Sequence, residues 1–136
     1  MLLVDTTGLL AALDAGQRRH AECAAVIATR PGPFLLSPFV LAELDYLIAA
    51  RVGRAAQRGL LEEVARGAYR LEAFDADDIQ TATAIIDRYP ALEPGLADAS
   101  LVVLSARHRV RDILTLDHRH FDAMRQLNGR PFRVLP

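Results

Sequence analysis

Leu2-Leu3-Val4-Asp5-Thr6-Thr7-Gly8-Leu9-Leu10-Ala11-Ala12-Leu13 decides the fold: an apolar triplet, an acid with two hydroxyl residues and a glycine, then leucines at helical spacing. An unbroken apolar run suits a strand covered on both faces, and leucines at 9, 10 and 13 repeat with a helical period. The stretch therefore predicts a buried strand that feeds a helix. Working outward, residues 17–29 read as a second helix closed by Pro31-Gly32-Pro33, and Phe34-Leu35-Leu36 as a second strand. Ser37 is a good helix cap and Pro38 a good first helical residue, so residues 39–51 predict a helix, followed after Gly53 by another through Leu60, Leu61 and Val64 to Gly67.

The second half repeats the alternation. Residues 69–74 alternate like a strand, and Asp75 caps a helix through Ile79, Ile85 and Ile86 that Pro90 to Gly95 interrupts. Residues 96–108 are helical, Ile113-Leu114-Thr115-Leu116 is a fourth strand, and residues 132–135 a fifth. Strands alternating with helices predict an α/β three-layer sandwich with a mainly parallel sheet, and right-handed crossovers leave few strand orders. The expected order is 3-2-1-4-5. In that order the chain turns back between strands one and four, where ligands of open α/β sheets gather beyond the carboxyl ends. Asp5 and Asp117 stand at those two ends.

Composition narrows the function. The length of 136 residues predicts one domain spanning residues 1–136, and 51% apolar with 24% charged residues excludes a disordered chain. No apolar run approaches the ~20 residues of a membrane span, and no basic stretch precedes Met1-Leu2-Leu3-Val4, so a soluble, cytoplasmic protein is expected. The lone Cys23 makes no internal disulfide, and no Cys/His set has zinc spacing. All sixteen basic residues are arginines, which removes lysine Schiff bases and phosphate-binding loops of the lysine type. The net charge of −1 hides a layout: residues 72–98 hold seven acids against one arginine, and residues 107–133 hold seven arginines and three histidines against three aspartates.

Four acids stand out, each with a plainer reading beside it. Asp5 follows the first strand and also suits a helix cap. Glu43 shares a helical stripe with Phe39 and Leu47, where a buried carboxylate wants a cation; alternatively it sits at the stripe's edge with its head in water. Asp98 opens a hydrophobic helix, where dipole complementarity alone explains an acid. Asp117 follows the fourth strand and suits a short helix cap. Together they map to one end of the sheet. Clustered carboxylates either take up protons or hold hard divalent cations, and an all-oxygen set selects Mg²⁺ or Mn²⁺ over zinc. Asp75, Asp77 and Asp78 read as a helix N-terminus, and Asp14, Asp45, Asp87, Asp112 and Asp122 as solvated surface.

Val4-Asp5-Thr6, Ser37-Pro38 to Glu43-Leu44, Leu96-Ala97-Asp98-Ala99-Ser100-Leu101 and Leu114-Thr115-Leu116-Asp117-His118-Arg119-His120-Phe121 resemble the four acidic motifs of the PIN-domain family. More narrowly they resemble the VapC toxins of bacterial toxin–antitoxin pairs. The resemblance covers nearly the whole chain and includes the ending Phe132-Arg133-Val134-Leu135-Pro136. It implies a Mg²⁺-dependent endoribonuclease with Asp5, Glu43, Asp98 and Asp117 as its acids, Asp5 and Asp98 holding the principal metal. Thr6 and Thr115 match hydroxyl positions beside the acids. It also implies a structured RNA substrate, either transfer RNA or the sarcin-ricin loop of 23S ribosomal RNA, a VapB-like antitoxin and a homodimer.

An acidic cleft repels RNA, so cations must surround it. Arg119 is the leading candidate for phosphate contact, with Arg107, Arg109 and Arg111 competing against the reading of a solvated helix end. His118 and His120 are candidate proton donors, set against ordinary surface histidines. With no tryptophan and few aromatics, stacking supplies little base reading, so specificity is expected from RNA shape. The rows Phe39, Leu44, Leu47, Ile48 and Leu60, Leu61, Val64 read either as an association surface or as core. A receiver domain wants paired acids after strand one and a late lysine, and a haloacid-dehalogenase-like phosphatase wants Asp at position 7, which is Thr7. A dinucleotide-binding module wants a glycine fingerprint the chain lacks. The rival that survives is a PIN-like module that binds RNA or protein without cutting.

Overall fold

The computed structural model describes residues 1–136. Five strands form one all-parallel sheet: β1 (Leu2–Val4), β2 (Phe34–Leu36), β3 (Arg70–Leu71), β4 (Asp112–Leu114) and β5 (Arg133–Leu135). Their order is β3-β2-β1-β4-β5, as the alternation of strands and helices predicts. The register pairs Val4 with both Leu36 and Leu114. All of β1 is buried, which is why its sequence is apolar without alternation.

Helices flank the sheet: α1 (Thr6–Leu13), α2 (His20–Thr29), α3 (Pro38–Arg51), α4 (Arg54–Ala65), α5 (Ala76–Arg88), α6 (Leu96–His108) and the single turn α7 (His118–Phe121). Their starts follow local chemistry. The Ser37 hydroxyl accepts from Phe39 N–H at 3.2 Å, with Pro38 in the first turn. Asp75 and Asp78 form a reciprocal capping box at α5, each carboxylate accepting from the other's N–H at 2.9 and 3.0 Å. Helix α6 is buried from Ala99 to Ser105, packed by α5 on one flank, so its sequence is apolar nearly all round.

Three expectations shift. The stretch 69–74 pairs only at Arg70 and Leu71 because β3 is an edge strand with one neighbour; Glu72 N–H adds one bond to the Leu36 carbonyl. Asp112 is not solvated surface: it lies in β4 with its side chain 14% exposed, bound by Arg30 at 2.6 Å and by Arg133. The apolar rows of α3 and α4 mostly serve the core, with Leu44, Ile48 and Leu60 buried, Phe39, Leu47 and Val64 packed against them, and Leu61 exposed. No helix is long and apolar enough to cross a membrane.

Candidate functional site

The strand order turns back between β1 and β4, and the chain beyond their carboxyl ends is Asp5 on one side and Thr115 to Asp117 on the other. Asp5 is in the N-cap position of α1 but does not cap it. Its Oδ2 instead accepts from the Thr115 hydroxyl at 2.6 Å and the Thr7 hydroxyl at 3.0 Å. Only 4% exposed, its carboxyl is pushed up to about 6 by burial, with the negative charge of Asp98 adding to that and the hydroxyl bonds opposing it.

Thr115 is the junction of the site. Besides donating to Asp5, its hydroxyl oxygen accepts from Asp117 N–H at 2.9 Å and meets the Thr7 hydroxyl at 3.1 Å; Thr7 in turn accepts from Leu116 N–H at 2.9 Å. The first and fourth acidic segments are therefore laced together by hydroxyls. The room for this lacing comes from Gly8: a Cβ there would stand 2.5 Å from the Leu114 carbonyl oxygen, so only glycine lets α1 lie this close to β4.

Asp98, in the first turn of α6, accepts from Gly95 N–H at 2.9 Å. It is half-buried, and its pKa is raised, first by burial and further by the charges of Asp117 and Glu43, against the opposing pull of Gly95 and His120. Glu43 reaches the same region from α3. It is exposed rather than buried on its stripe, and its Oε2 accepts from the Thr6 hydroxyl at 2.7 Å. What aligns α3 with α6 is a buried pair of hydroxyls, Ser37 and Ser100, at 2.7 Å.

Asp117 caps α7. Its Oδ1 accepts from His120 N–H at 3.0 Å and its Oδ2 from His120 Nδ1 at 2.7 Å, while His120 Nε2 donates to the Leu92 carbonyl at 2.9 Å. A carbonyl only accepts, so Nε2 carries a proton, which leaves Nδ1 to face the Asp117 carboxylate. Burial opposes charge on this ring, but the bond to Asp117, the charges of Asp98 and Asp117 and the Leu92 carbonyl outweigh it and raise its pKa. One ligand atom each from Asp98, Asp117 and His120 lies within 4.8 Å of the others. Asp5 and Glu43 are outside that tight group but act on it through charge.

The donor set fits a hard divalent cation. Two carboxylates are driven toward protonation by burial and by their acidic neighbours, and both nitrogens of the nearby histidine are already bonded, which leaves carboxylate oxygens as donors. Arg119 is exposed on α7 and in no ion pair. Arg107 is not free for phosphate: it binds Asp78 at 2.8 Å, Glu72 at 3.4 Å and the Ala73 carbonyl at 2.7 Å. Sequence reasoning missed the parts played by Thr7 and His120; the one available signal was the spacing of His120 three residues after Asp117, which fits a capped turn.

Residues 2–127 match the family described as PIN domain. The chain belongs to the PIN-domain family. This PIN chain is 44% identical over 135 residues to Ribonuclease VapC26 of Mycobacterium tuberculosis (strain ATCC 25618 / H37Rv), with 99% of this chain and 100% of that protein covered. Its fold is similar to the crystal structure of Mycobacterium tuberculosis VapC20, titled a Sarcin-Ricin loop cleaving toxin, with a TM-score of 0.80 and 24% identity over 86% of this chain and 90% of that one. That second likeness is one of fold. Within the PIN fold, Asp5 and Asp117 follow the two strands that flank the switch point of the sheet, with Glu43 bonded to neighbouring Thr6 and Asp98 coupled to them by charge.

Proposed function

We propose that the chain is a Mg²⁺-dependent endoribonuclease toxin of the VapC type, cytoplasmic and neutralised by a VapB-like antitoxin, that cuts structured RNA, either transfer RNA or the sarcin-ricin loop of 23S ribosomal RNA. The observation that carries this reading is the close grouping of Asp98 and Asp117 with His120, coupled by charge to Asp5 and Glu43, in a chain related over its full length to a ribonuclease. Asp5 and Asp98 are assigned the principal ion, with Glu43 and Asp117 completing the set directly or through water. Bound there, Mg²⁺ or Mn²⁺ supplies an activated water and neutralises charge on the phosphodiester.

The chain's own residues do the rest. Thr115 and Thr7 fix the Asp5 carboxylate, Thr6 fixes Glu43, and His120 fixes Asp117, so the anionic oxygens are held against their mutual repulsion. Arg119, in no ion pair and two residues beyond Asp117, is assigned to a backbone phosphate of the RNA. A homodimer completes the proposal.

The test is to free the purified chain of any antitoxin, incubate it with total bacterial RNA in Mg²⁺ or EDTA, and sequence the new 5′ ends. Discrete cuts in Mg²⁺ are expected, absent in EDTA and in Asp98→Asn. Cleavage that survives EDTA overturns the metal role, and RNA binding without cleavage in Mg²⁺ returns the non-catalytic reading.

A further inference from the structure

Six of the sixteen arginines are held in ion pairs, Arg19, Arg30, Arg58, Arg70, Arg107 and Arg133. Of the other ten, Arg109, Arg111 and Arg130 line one cavity of about 540 Å³ together with Ser105, Gln126 and Asn128. No acid lines it. The dipole at the end of α6 accounts for Arg109 alone, since Arg111 leads into β4 and Arg130 belongs to a hairpin.

The frame that holds these arginines is built from polar side chains turned inward. Arg109 ends α6 in the left-handed region (φ 54°), and Ser105 returns its hydroxyl to the Val110 carbonyl at 2.6 Å. The hairpin is closed by the Arg125 and Pro131 bridge and by Gln126, which donates its side-chain amide to the Pro131 carbonyl at 2.9 Å and sets its Oε1 3.4 Å from the Ser105 hydroxyl. Arg130 N–H donates to Asn128 at 3.0 Å. Three planar, always-charged groups converging without a counter-ion are matched to phosphate, whose oxygens accept bidentate bonds.

The position gives the ligand its class. Arg111 stands at the entry end of β4 and Asp117 beyond its exit, and α6 carries the chain from Asp98 to Arg109 over about 16 Å at ~1.5 Å per residue. The segment that leaves Asp117 and returns to β5 exposes Arg119 and Arg125, neither of them in an ion pair, before it reaches Arg130. Along the chain, two exposed arginines outside any ion pair therefore stand between Asp117 and Arg130. We propose that the cavity of Arg109, Arg111 and Arg130 is a phosphate-binding anchor for the backbone of the RNA, remote from the bond that is cut; this rests on the ribonuclease reading.

The experiment compares the full chain with the triple variant Arg109→Gln/Arg111→Gln/Arg130→Gln and with the corresponding Arg→Lys triple. Binding of unfractionated bacterial transfer RNA is measured in EDTA across a salt series, and inorganic pyrophosphate is titrated separately. The glutamine triple is expected to weaken RNA binding about tenfold or more and to lower the log–log salt slope by about two to three, while the lysine triple keeps the slope. In Mg²⁺ the loss is expected in KM and not in kcat. Arg111→Gln and Arg130→Gln singly, each lowering the slope by about one, keep the test open if the triple does not fold. Unchanged RNA affinity and slope overturn the anchor, as does an effect confined to pyrophosphate or to capture of an acidic protein segment. A parent chain that binds no RNA removes the ribonuclease reading as well, whereas RNA binding and cutting that ignore the variant remove the anchor alone.

Discussion

His120 and Asp117 are tied twice within one turn, ring Nδ1 to Oδ2 at 2.7 Å and backbone N–H to Oδ1 at 3.0 Å. With Nε2 donating to Leu92, and with Asp117 and Asp98 raising the ring's pKa against the effect of burial, the ring is drawn toward its charged form among acids. His120→Gln removes that charge and leaves Asp98 and Asp117 to repel each other unrelieved. A charged hydrogen bond is worth about 1.5–3 kcal/mol, so the melting temperature in EDTA is expected to fall by roughly 3–8 °C. Added Mg²⁺ should raise it more in the variant than in the parent. Equal melting temperatures in EDTA would count against the cation.

Asp5 adds a pH dependence of its own to the metal-free chain. Its carboxyl stands at about 6 when folded against 3.8 ordinarily, so between those values the folded state holds a proton that the unfolded state has lost. Stability contributed by that proton is present in full below 3.8 and falls as pH rises to about 6, by about 3 kcal/mol in all. Asp98, also raised, acts in the same direction. Denaturation in EDTA at pH 4 and pH 7 checks this: Asp5→Asn should gain on the parent as pH rises, and Mg²⁺ should close the gap.

Thr115→Val keeps the shape and deletes the hydroxyl at the junction of the site. Asp5 loses its shortest bond and Asp117 N–H loses its acceptor, a cost of about 2–3 kcal/mol. Urea denaturation should register that loss, and RNA cleavage should fall by at least tenfold because both carboxylates lose a support. Thr115→Ser, which retains the oxygen, should recover most of each. A valine variant as stable and active as the parent would remove the hydroxyl from this role.

Gly8→Ala places a methyl 2.5 Å from a backbone oxygen that cannot rotate away. Overpacking of this kind costs about 1–3 kcal/mol or more. Helix α1 must lift from β4, which also carries Thr7 away from Thr115. Both a lower urea midpoint and weaker Mg²⁺ stabilisation are expected; a loss of stability with metal response intact would separate the two effects.

Much of this was legible in residue order. The bare triplet Leu2-Leu3-Val4 and the cap Ser37-Pro38 predict their elements because each is fixed by burial or local bonding. The four acids point to one sheet end because strand order follows from crossover handedness. The extent of β3 was not legible, since an edge strand's pairing depends on a neighbour far along the chain. Nor was the outward reach of Glu43 to Thr6, or the choice of Asp112, not water, as the partner of Arg30 and Arg133. Such contacts are set by side chains that meet across the fold.

The lacing of Asp5 to Thr115 has a consequence for synthesis. A ribosome that has released β1, β2 and β3 has made two of the four acidic segments, and Asp5 still lacks its principal hydroxyl partner. Until residue 117 clears the exit tunnel no cleft exists, so a stalled fragment ending before Thr115 is expected to be harmless to cellular RNA. On the proposed function, the power to cut arrives in one step, when the fourth acidic segment joins the first.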